Sequence, residues 1–131
     1  MDNISVHTLA PGELVLITEK VTHWRDILSR GQQLPPIEVY NLNGQWIVRN
    51  GNNRVRAQLE HWRANDIPTR EISCQITLKQ PTPSAQKELC EVSSFSGVGE
   101  AAFASLPVVP QSQYYSKQKE QYRKMRARKK P

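Results

Sequence analysis

Residues 36–57 constrain the fold of this chain more than any other segment. Residues 37–40 and 45–49 have the composition of strands, and Asn43-Gly44 between them is a dipeptide favoured in tight hairpin turns. Gly51 then leads into an amphipathic helix that begins near Asn52 or Asn53. Because the first turn of a helix exposes backbone N–H groups and the positive end of the helix dipole, the segment predicts a site for a phosphate or another anion.

Two patterns before the hairpin predict a strand and a helix. The apolar run at residues 14–17 is long enough for a strand. A helix is expected to follow, with Thr22 as its cap and Gly31 after its end. The apolar residues Trp24, Ile27 and Leu28 between them recur at helical spacing.

The chain after the hairpin is expected to add one strand and two short helices. Apolar and polar residues alternate at 72–78, as in a half-buried strand. Thr82 and Pro83 are typical of the cap and first turn of a helix, here predicted over residues 83–92. Residues 93–99 are predicted to be a loop and residues 100–106 a last helical segment. The fold class predicted from these elements is α+β, with helices packed on a small mixed sheet.

Positive charge is concentrated at the C-terminal end. The net charge is +6. Residues 114–131 hold eight basic side chains and one acidic one, whereas residues 1–113 hold ten basic and eleven acidic side chains. We therefore predict a domain at residues 1–106 and a basic tail at residues 107–131. The tail has no evident apolar stripe, so it is expected to be flexible, as a charged helix or as a disordered segment, rather than to pack on the core.

The tail has two interpretations that the sequence leaves open. Basic residues interleaved with tyrosines suit non-specific contact with nucleic acid, through phosphate neutralisation and stacking. A solvated end without a partner has the same composition. The candidate nucleic-acid contacts are Lys117, Lys119, Arg123, Lys124, Arg126, Arg128, Lys129 and Lys130.

Other classes of protein are disfavoured by composition. No apolar run approaches the roughly 20 residues that span a bilayer, so no membrane partner is expected. Cys74 and Cys90 form no C-x-x-C pair and no signal peptide is evident, which predicts reduced thiols and a cytoplasmic location. The three histidines lack metal-ligand spacing, so no metal site is predicted.

The order of these elements resembles the ParB/sulfiredoxin superfamily, which includes the N-terminal domains of ParB and ParB-like nuclease domains. The residues that carry the resemblance are 36–39, the Gly-x-x-Arg turn with Ala57 at residues 51–57, and Ile67-Pro68. It covers about residues 12–79, which we take as the core of the domain. The resemblance implies a ParB/sulfiredoxin-like fold with the basic tail as a C-terminal extension.

The resemblance also implies a function for the glycine turn. Members of the superfamily bind nucleotide phosphates there, so Gly51, Asn52, Asn53 and Arg54 are the expected phosphate-binding residues. Glycine allows a positive φ, and the arginine guanidinium matches phosphate oxygens. Nearby, Arg49 and Arg56 are auxiliary candidates. The resemblance thus implies a module that binds a nucleotide or nucleic acid. A helix cap without a ligand is the alternative for Asn52.

The chain departs from the superfamily where catalysis is concerned. Asn52 stands where sulfiredoxins have their catalytic cysteine and where ParB proteins usually have glutamate, so sulfiredoxin activity is not expected. Asparagine is a weak metal ligand and transfers no proton at ordinary pH. An enzymatic alternative, an NTPase or nuclease that uses a nucleoside triphosphate with Mg²⁺, would need carboxylates from Glu38, Glu60 or Asp66. A protein-interaction adaptor that has lost its ligand is the third possibility.

Overall fold

The computed structural model describes residues 2–128, which form two sheets and five α-helices. A five-stranded mixed sheet has the order β1-β6-β4-β5-β2, and strands β3 and β7 pair in parallel apart from it. The strands are β1 (Asp2–Ser5), β2 (Leu9–Ala10), β3 (Leu16–Ile17), β4 (Ile37–Leu42), β5 (Gln45–Asn50), β6 (Glu71–Ile76) and β7 (Val108–Val109). The helices are α1 (Thr18–Ser29), α2 (Asn52–Ala64), α3 (Pro83–Ser96), α4 (Glu100–Ser105) and α5 (Tyr114–Arg128). The prediction of an α+β fold with a small mixed sheet is confirmed.

The hairpin of β4 and β5 has the predicted turn. Asn43 and Gly44 have φ values of 54° and 83°, the backbone that favours Asn-Gly in a two-residue turn. The side chain of Asn41 accepts a hydrogen bond from the Gly44 N–H at 3.1 Å. This hairpin delivers the chain to Gly51 and the start of α2, and so positions the candidate site.

Helix α1 begins at Thr18, four residues before the predicted cap at Thr22. The early start places Val21 and Leu28 on the buried face together with the half-buried Trp24. No side chain caps the helix, and the chain passes directly from β3 into it. The prediction of a cap at Thr22 is therefore wrong, since Thr22 lies inside the helix, one residue after the buried Val21.

Two strand predictions need correction. Strand β6 ends at Ile76, and Leu78 is 87% exposed, so the alternation predicted through residue 78 does not continue in the structure. Strand β1 was not predicted, since Ile4 is its only buried apolar residue. It pairs antiparallel with β6, which lies parallel to β4 on its other side. Cys74 is therefore fully buried in an interior strand.

Helices cover both faces of the sheet. Val39 and Val48 contribute to the main core, to which α2 and α4 add Val55 and Phe103. The opposite face of the hairpin packs against Leu89 and Cys90 of α3. Helix α3 has the predicted cap, Thr82, whose Oγ1 accepts from the Ala85 N–H at 3.3 Å. It continues to Ser96, through residues predicted to be a loop.

Helix α5 packs on the body of the protein, contrary to the expectation for a flexible tail. Met125 is 2% exposed and contacts a cluster that contains Leu14, Val15 and Val92, with Tyr114 and Tyr122 packed beside it. Two tyrosine rings and Met125 form the apolar side of α5, which was not predicted because tyrosine also carries a polar hydroxyl. The Tyr122 hydroxyl donates to Glu88 at 2.7 Å, so the ring packs while its polar end is satisfied.

Candidate phosphate site at the first turn of helix α2

Gly51 precedes α2 in a conformation that only glycine adopts easily. Its φ is 114°, and a Cβ atom there would lie 2.6 Å from Cγ2 of Ile37. Glycine is thus required by the backbone and by close packing on Ile37. With no side-chain cap at this end, the N–H groups of Asn52, Asn53 and Arg54 have no acceptor among residues 2–128. Three backbone donors therefore remain at the first turn.

The two asparagine side chains tie α2 to the segment that precedes α1. Oδ1 of Asn52 accepts from the Gly12 N–H at 3.0 Å, and its Nδ2 donates to the Val48 carbonyl at 3.4 Å. Oδ1 of Asn53 accepts from the Ile17 N–H at 2.9 Å. Asn52 is 2% exposed, so its side-chain amide has a structural role.

Arg54 is a largely buried cation at the same turn. Its Nη1 donates to the carbonyls of Pro35 at 3.0 Å and Pro36 at 2.8 Å, and its guanidinium carbon lies 5.5 Å from the centroid of a Trp24 ring. Burial lowers the pKa of Arg54, and the negative charge of Glu38 opposes that shift. Arginine remains protonated in proteins. Its Nε and Nη2 meet no acceptor within residues 2–128, so they remain available to a ligand.

A cavity of about 470 Å³ opens in front of this turn. We call it the first-turn cavity. Helix α1 supplies one wall and the first turn of α2 the other, so side chains from two helices meet the backbone donors described above. Its lining residues are Glu19, Lys20, His23, Trp24, Asn50, Gly51, Asn53 and Arg54.

No role at this site was predicted for Glu19 or Lys20, and His23 and Trp24 were not predicted to lie near the first turn of α2. The early start of α1 explains the omission, because a helix beginning at Thr22 would leave Glu19 and Lys20 outside it. The spacing of Lys20, His23 and Trp24, at i, i+3 and i+4, was the available signal.

The auxiliary arginines lie elsewhere. Arg49 pairs with Glu38 at 3.4 Å, and its guanidinium carbon lies 5.7 Å from the Tyr40 ring centroid. Arg56 pairs with Glu60 at 2.7 Å. Its Nη1 also donates to two carbonyls at the end of α4, those of Phe103 at 3.0 Å and Leu106 at 3.1 Å. Neither arginine lines the first-turn cavity.

The carboxylates considered for catalysis are also outside this cavity. Glu38, Glu60 and Asp66 are absent from its lining, and Glu19 is its one carboxylate among residues 2–128. Both oxygens of Glu19 accept from the Gln111 N–H at 3.1 Å. Within that range no group of three or more His, Cys, Asp or Glu is arranged to hold a metal ion.

A second cationic region lies on α5. Lys117 and Lys124 each pair with Glu120 at 3.3 Å, and these two ammonium groups lower the pKa of Glu120. Lys119, Arg123 and Arg126 are exposed and have no acidic partner in the described part of the chain. We call these three residues the α5 basic face.

Arg126 of the basic face and Arg128, another predicted tail contact, each lie over an aromatic ring, and for Arg126 this is the Tyr122 ring at 5.5 Å. The guanidinium of Arg128 lies over the Phe95 ring at 5.1 Å. Lys129 and Lys130 lie outside the described residues. A groove of about 360 Å³ between α3 and α5 adjoins the basic face and contains Glu88 on its opposite side.

Comparisons with known proteins give one structural likeness. No family model and no curated protein matches the chain. Among solved structures, the crystal structure of sulfiredoxin from Arabidopsis thaliana is similar, with 17% sequence identity and a TM-score of 0.46. The match covers 67% of this chain and 94% of that one. Among residues 2–128, no helix has both the length and the apolar character needed to cross a membrane.

Proposed function

We propose that this protein is a nucleotide-binding module that holds phosphate groups at the first turn of α2. The observation that carries the proposal is the convergence of cationic and N–H donors on the first-turn cavity. Lys20 and Arg54 line it together with the uncapped start of α2. Backbone N–H groups, the helix dipole and a guanidinium are the features with which proteins bind phosphate.

The size and the aromatic wall of the cavity support a nucleotide over inorganic phosphate. A volume of about 470 Å³ lies within the range of small-molecule sites. The exposed His23 ring meets the Trp24 ring edge-on, with centroids 4.7 Å apart. The Trp24 ring already contacts Arg54 and the core, so the exposed His23 ring is the one on which a nucleobase stacks while its phosphates reach the helix.

The α5 basic face supports nucleic acid as a further partner of the same module. Its three cations lack acidic partners in the described residues, and Tyr115 on the same helix is 71% exposed. Phosphate neutralisation by exposed cations, with an aromatic ring free to stack, gives sequence-independent binding. An NTPase or nuclease lacks a comparable observation, since the carboxylates considered for it do not line the first-turn cavity. No observation favours an adaptor without a ligand.

A thermal-shift titration with CTP, ATP, GTP and ADP, each with and without Mg²⁺, tests the proposal. A ligand at about 100 times its Kd adds roughly 2.7 kcal/mol to the free energy of unfolding. The informative variant is Lys20→Gln, because Lys20 lines the cavity, is exposed and makes no hydrogen bond within residues 2–128. The matched control is Lys87→Gln, an exposed lysine on α3 outside the cavity.

One nucleotide is expected to raise the melting temperature of the wild type and of Lys87→Gln. A smaller shift is expected for Lys20→Gln. Absence of a shift for every nucleotide, or an equal shift in all three proteins, would contradict the proposed site.

A further inference from the structure

A second cavity, also of about 470 Å³, lies alongside α2 and shares Arg54 with the first-turn cavity. We call it the Gln58 cavity. The end of α1 and the loop that follows it form one side, and the start of β6 forms another. Ile37, Trp62, Ile67 and Ile72 give it an apolar floor. Its size and its mixture of apolar and polar walls are those of a small-molecule site.

A stripe of polar residues on α2 faces this cavity. Arg54, Gln58 and His61 are spaced i, i+4 and i+7, so they lie on one side of the helix. Gln58 is half-buried, and its amide has no hydrogen-bond partner among residues 2–128. Nδ1 of His61 lies 3.4 Å from the Asn65 amide nitrogen, which leaves Nε2 without a partner in that range. Solvent reaches these groups, since the one buried side-chain polar atom without a hydrogen-bond partner within residues 2–128 is Oγ of Ser96, and they are therefore open to a ligand.

The charges around the cavity favour a monoanion. Arg54 and Arg70 line it, against the single carboxylate of Glu71. Arg70 has no acidic partner and no hydrogen bond within the described residues, and Nε and Nη2 of Arg54 are likewise unpaired there. A dianionic phosphate would meet repulsion from Glu71, and this cavity lacks the helix N–H groups that favour phosphate. Two guanidinium groups and one carboxylate give the cavity a net charge of about +1, which a ligand with a single carboxylate neutralises.

We propose that the Gln58 cavity binds a small organic acid with a planar apolar body. Its carboxylate pairs with Arg70 and Arg54, and its ring lies on Trp62 and Ile72. The Gln58 amide, at the middle of the polar stripe, orients the polar edge of the ring. The two proposed sites share Arg54, which lines both cavities, and they differ in Lys20 and Arg70, each of which lines only one of them.

Fluorine NMR with 4-(trifluoromethyl)benzoate tests this proposal on the full chain. The probe is titrated to about 5 mM, because a Kd near 1 mM is expected for a ligand of this size. The uncharged 4-(trifluoromethyl)benzamide serves as the matched ligand. The protein variants are Arg70→Gln, which removes one guanidinium, and Gln58→Trp, which fills the cavity. Arg63→Gln is the control, since Arg63 is exposed on the same helix and does not line the cavity.

The benzoate is expected to bind the wild type and Arg63→Gln with equal affinity. The benzoate should bind Arg70→Gln about tenfold more weakly than it binds the wild type. The benzamide should also bind the wild type about tenfold more weakly than the benzoate does. Gln58→Trp should bind neither compound. Lys20→Gln should bind as the wild type does, so a failure of the nucleotide site leaves this result unchanged. Absence of binding to the wild type, equal binding of acid and amide, or an unchanged affinity in Arg70→Gln would overturn the proposal. Melting curves verify that each variant is folded.

Discussion

The side chain of Asn53 accepts a hydrogen bond from the backbone N–H of Ile17 at 2.9 Å, across 36 residues of sequence. Ile17 is the last residue of β3 and immediately precedes α1. The bond therefore joins the starts of the two helices that form the walls of the first-turn cavity. In this way the side chain of the second asparagine of the turn holds the two walls of the cavity together.

Asn52→Ala is expected to lower the free energy of unfolding by about 1–3 kcal/mol, because the Gly12 N–H loses its acceptor in a partly buried position. Urea unfolding at neutral pH measures the change. Asn65→Ala is the matched control, since Asn65 is exposed at the end of α2. Its replacement should lower the free energy of unfolding by less than about 0.5 kcal/mol. Equal effects of the two substitutions would contradict a structural role for Asn52.

Gly51→Ala should destabilise the protein by more than about 2 kcal/mol, since the left-handed backbone and a clash with Ile37 act together. The comparison is Gly31→Ala, where φ is 78° but no atom lies within 4 Å of the added Cβ. That change is expected to cost only about 1–2 kcal/mol, from the backbone alone. Unfolding curves that coincide for the two variants would show that contact with Ile37 is unimportant.

Cys74 should resist alkylation in the native protein. Burial raises the pKa of its thiol to about 11, so little thiolate is present at pH 8. Iodoacetamide labelling followed by mass spectrometry should find Cys90, which is half-buried, modified first. The unfolded state loses the thiol proton at lower pH than the folded state. Cys74 therefore lowers the free energy of unfolding as pH rises from about 9 to about 11. Rapid native labelling of Cys74 would contradict its burial.

The α5 basic face should account for the salt dependence of nucleic-acid binding. In a triple variant, Lys119, Arg123 and Arg126 are replaced by glutamine. The slope of log affinity against log salt concentration, measured with a single-stranded oligonucleotide, is expected to fall in magnitude by about 2, because each lost phosphate contact removes about 0.7. Fluorescence anisotropy measures the slope. The control is Lys117→Gln with Lys124→Gln, whose ammonium groups already pair with Glu120. A larger loss in this control would place the contact elsewhere.

The hairpin and the glycine turn could be predicted because short-range chemistry determines them. Asn43-Gly44 selects its own turn, and Gly51 adopts a positive φ that few other residues tolerate. The start of α1 and the packing of α5 depend instead on which residues the folded core can bury. Val21 and Met125 become informative only when their partners in the core are known.

The candidate site was predictable in part for the same reason. The Gly-x-x-Arg motif at residues 51–54 was enough to locate the first turn of α2, because that turn depends on residues next to one another in the sequence. The wall supplied by Lys20 and His23 comes from another helix, and only tertiary packing brings it there. The side chains of Asn52 and Asn53 also have partners some 40 and 36 residues away, which no local pattern indicates.

Backbone amide chemical shifts during a nucleotide titration test the central claim most directly. We predict that the amide resonances of Asn52, Asn53 and Arg54 move and saturate with one common Kd when the bound nucleotide identified by thermal shift is added. The same titration of Lys20→Gln should give a weaker Kd, and that of Lys87→Gln an unchanged one. If these three amides stay in place while resonances of α5 move, the first turn of α2 is not the phosphate site and the account is wrong.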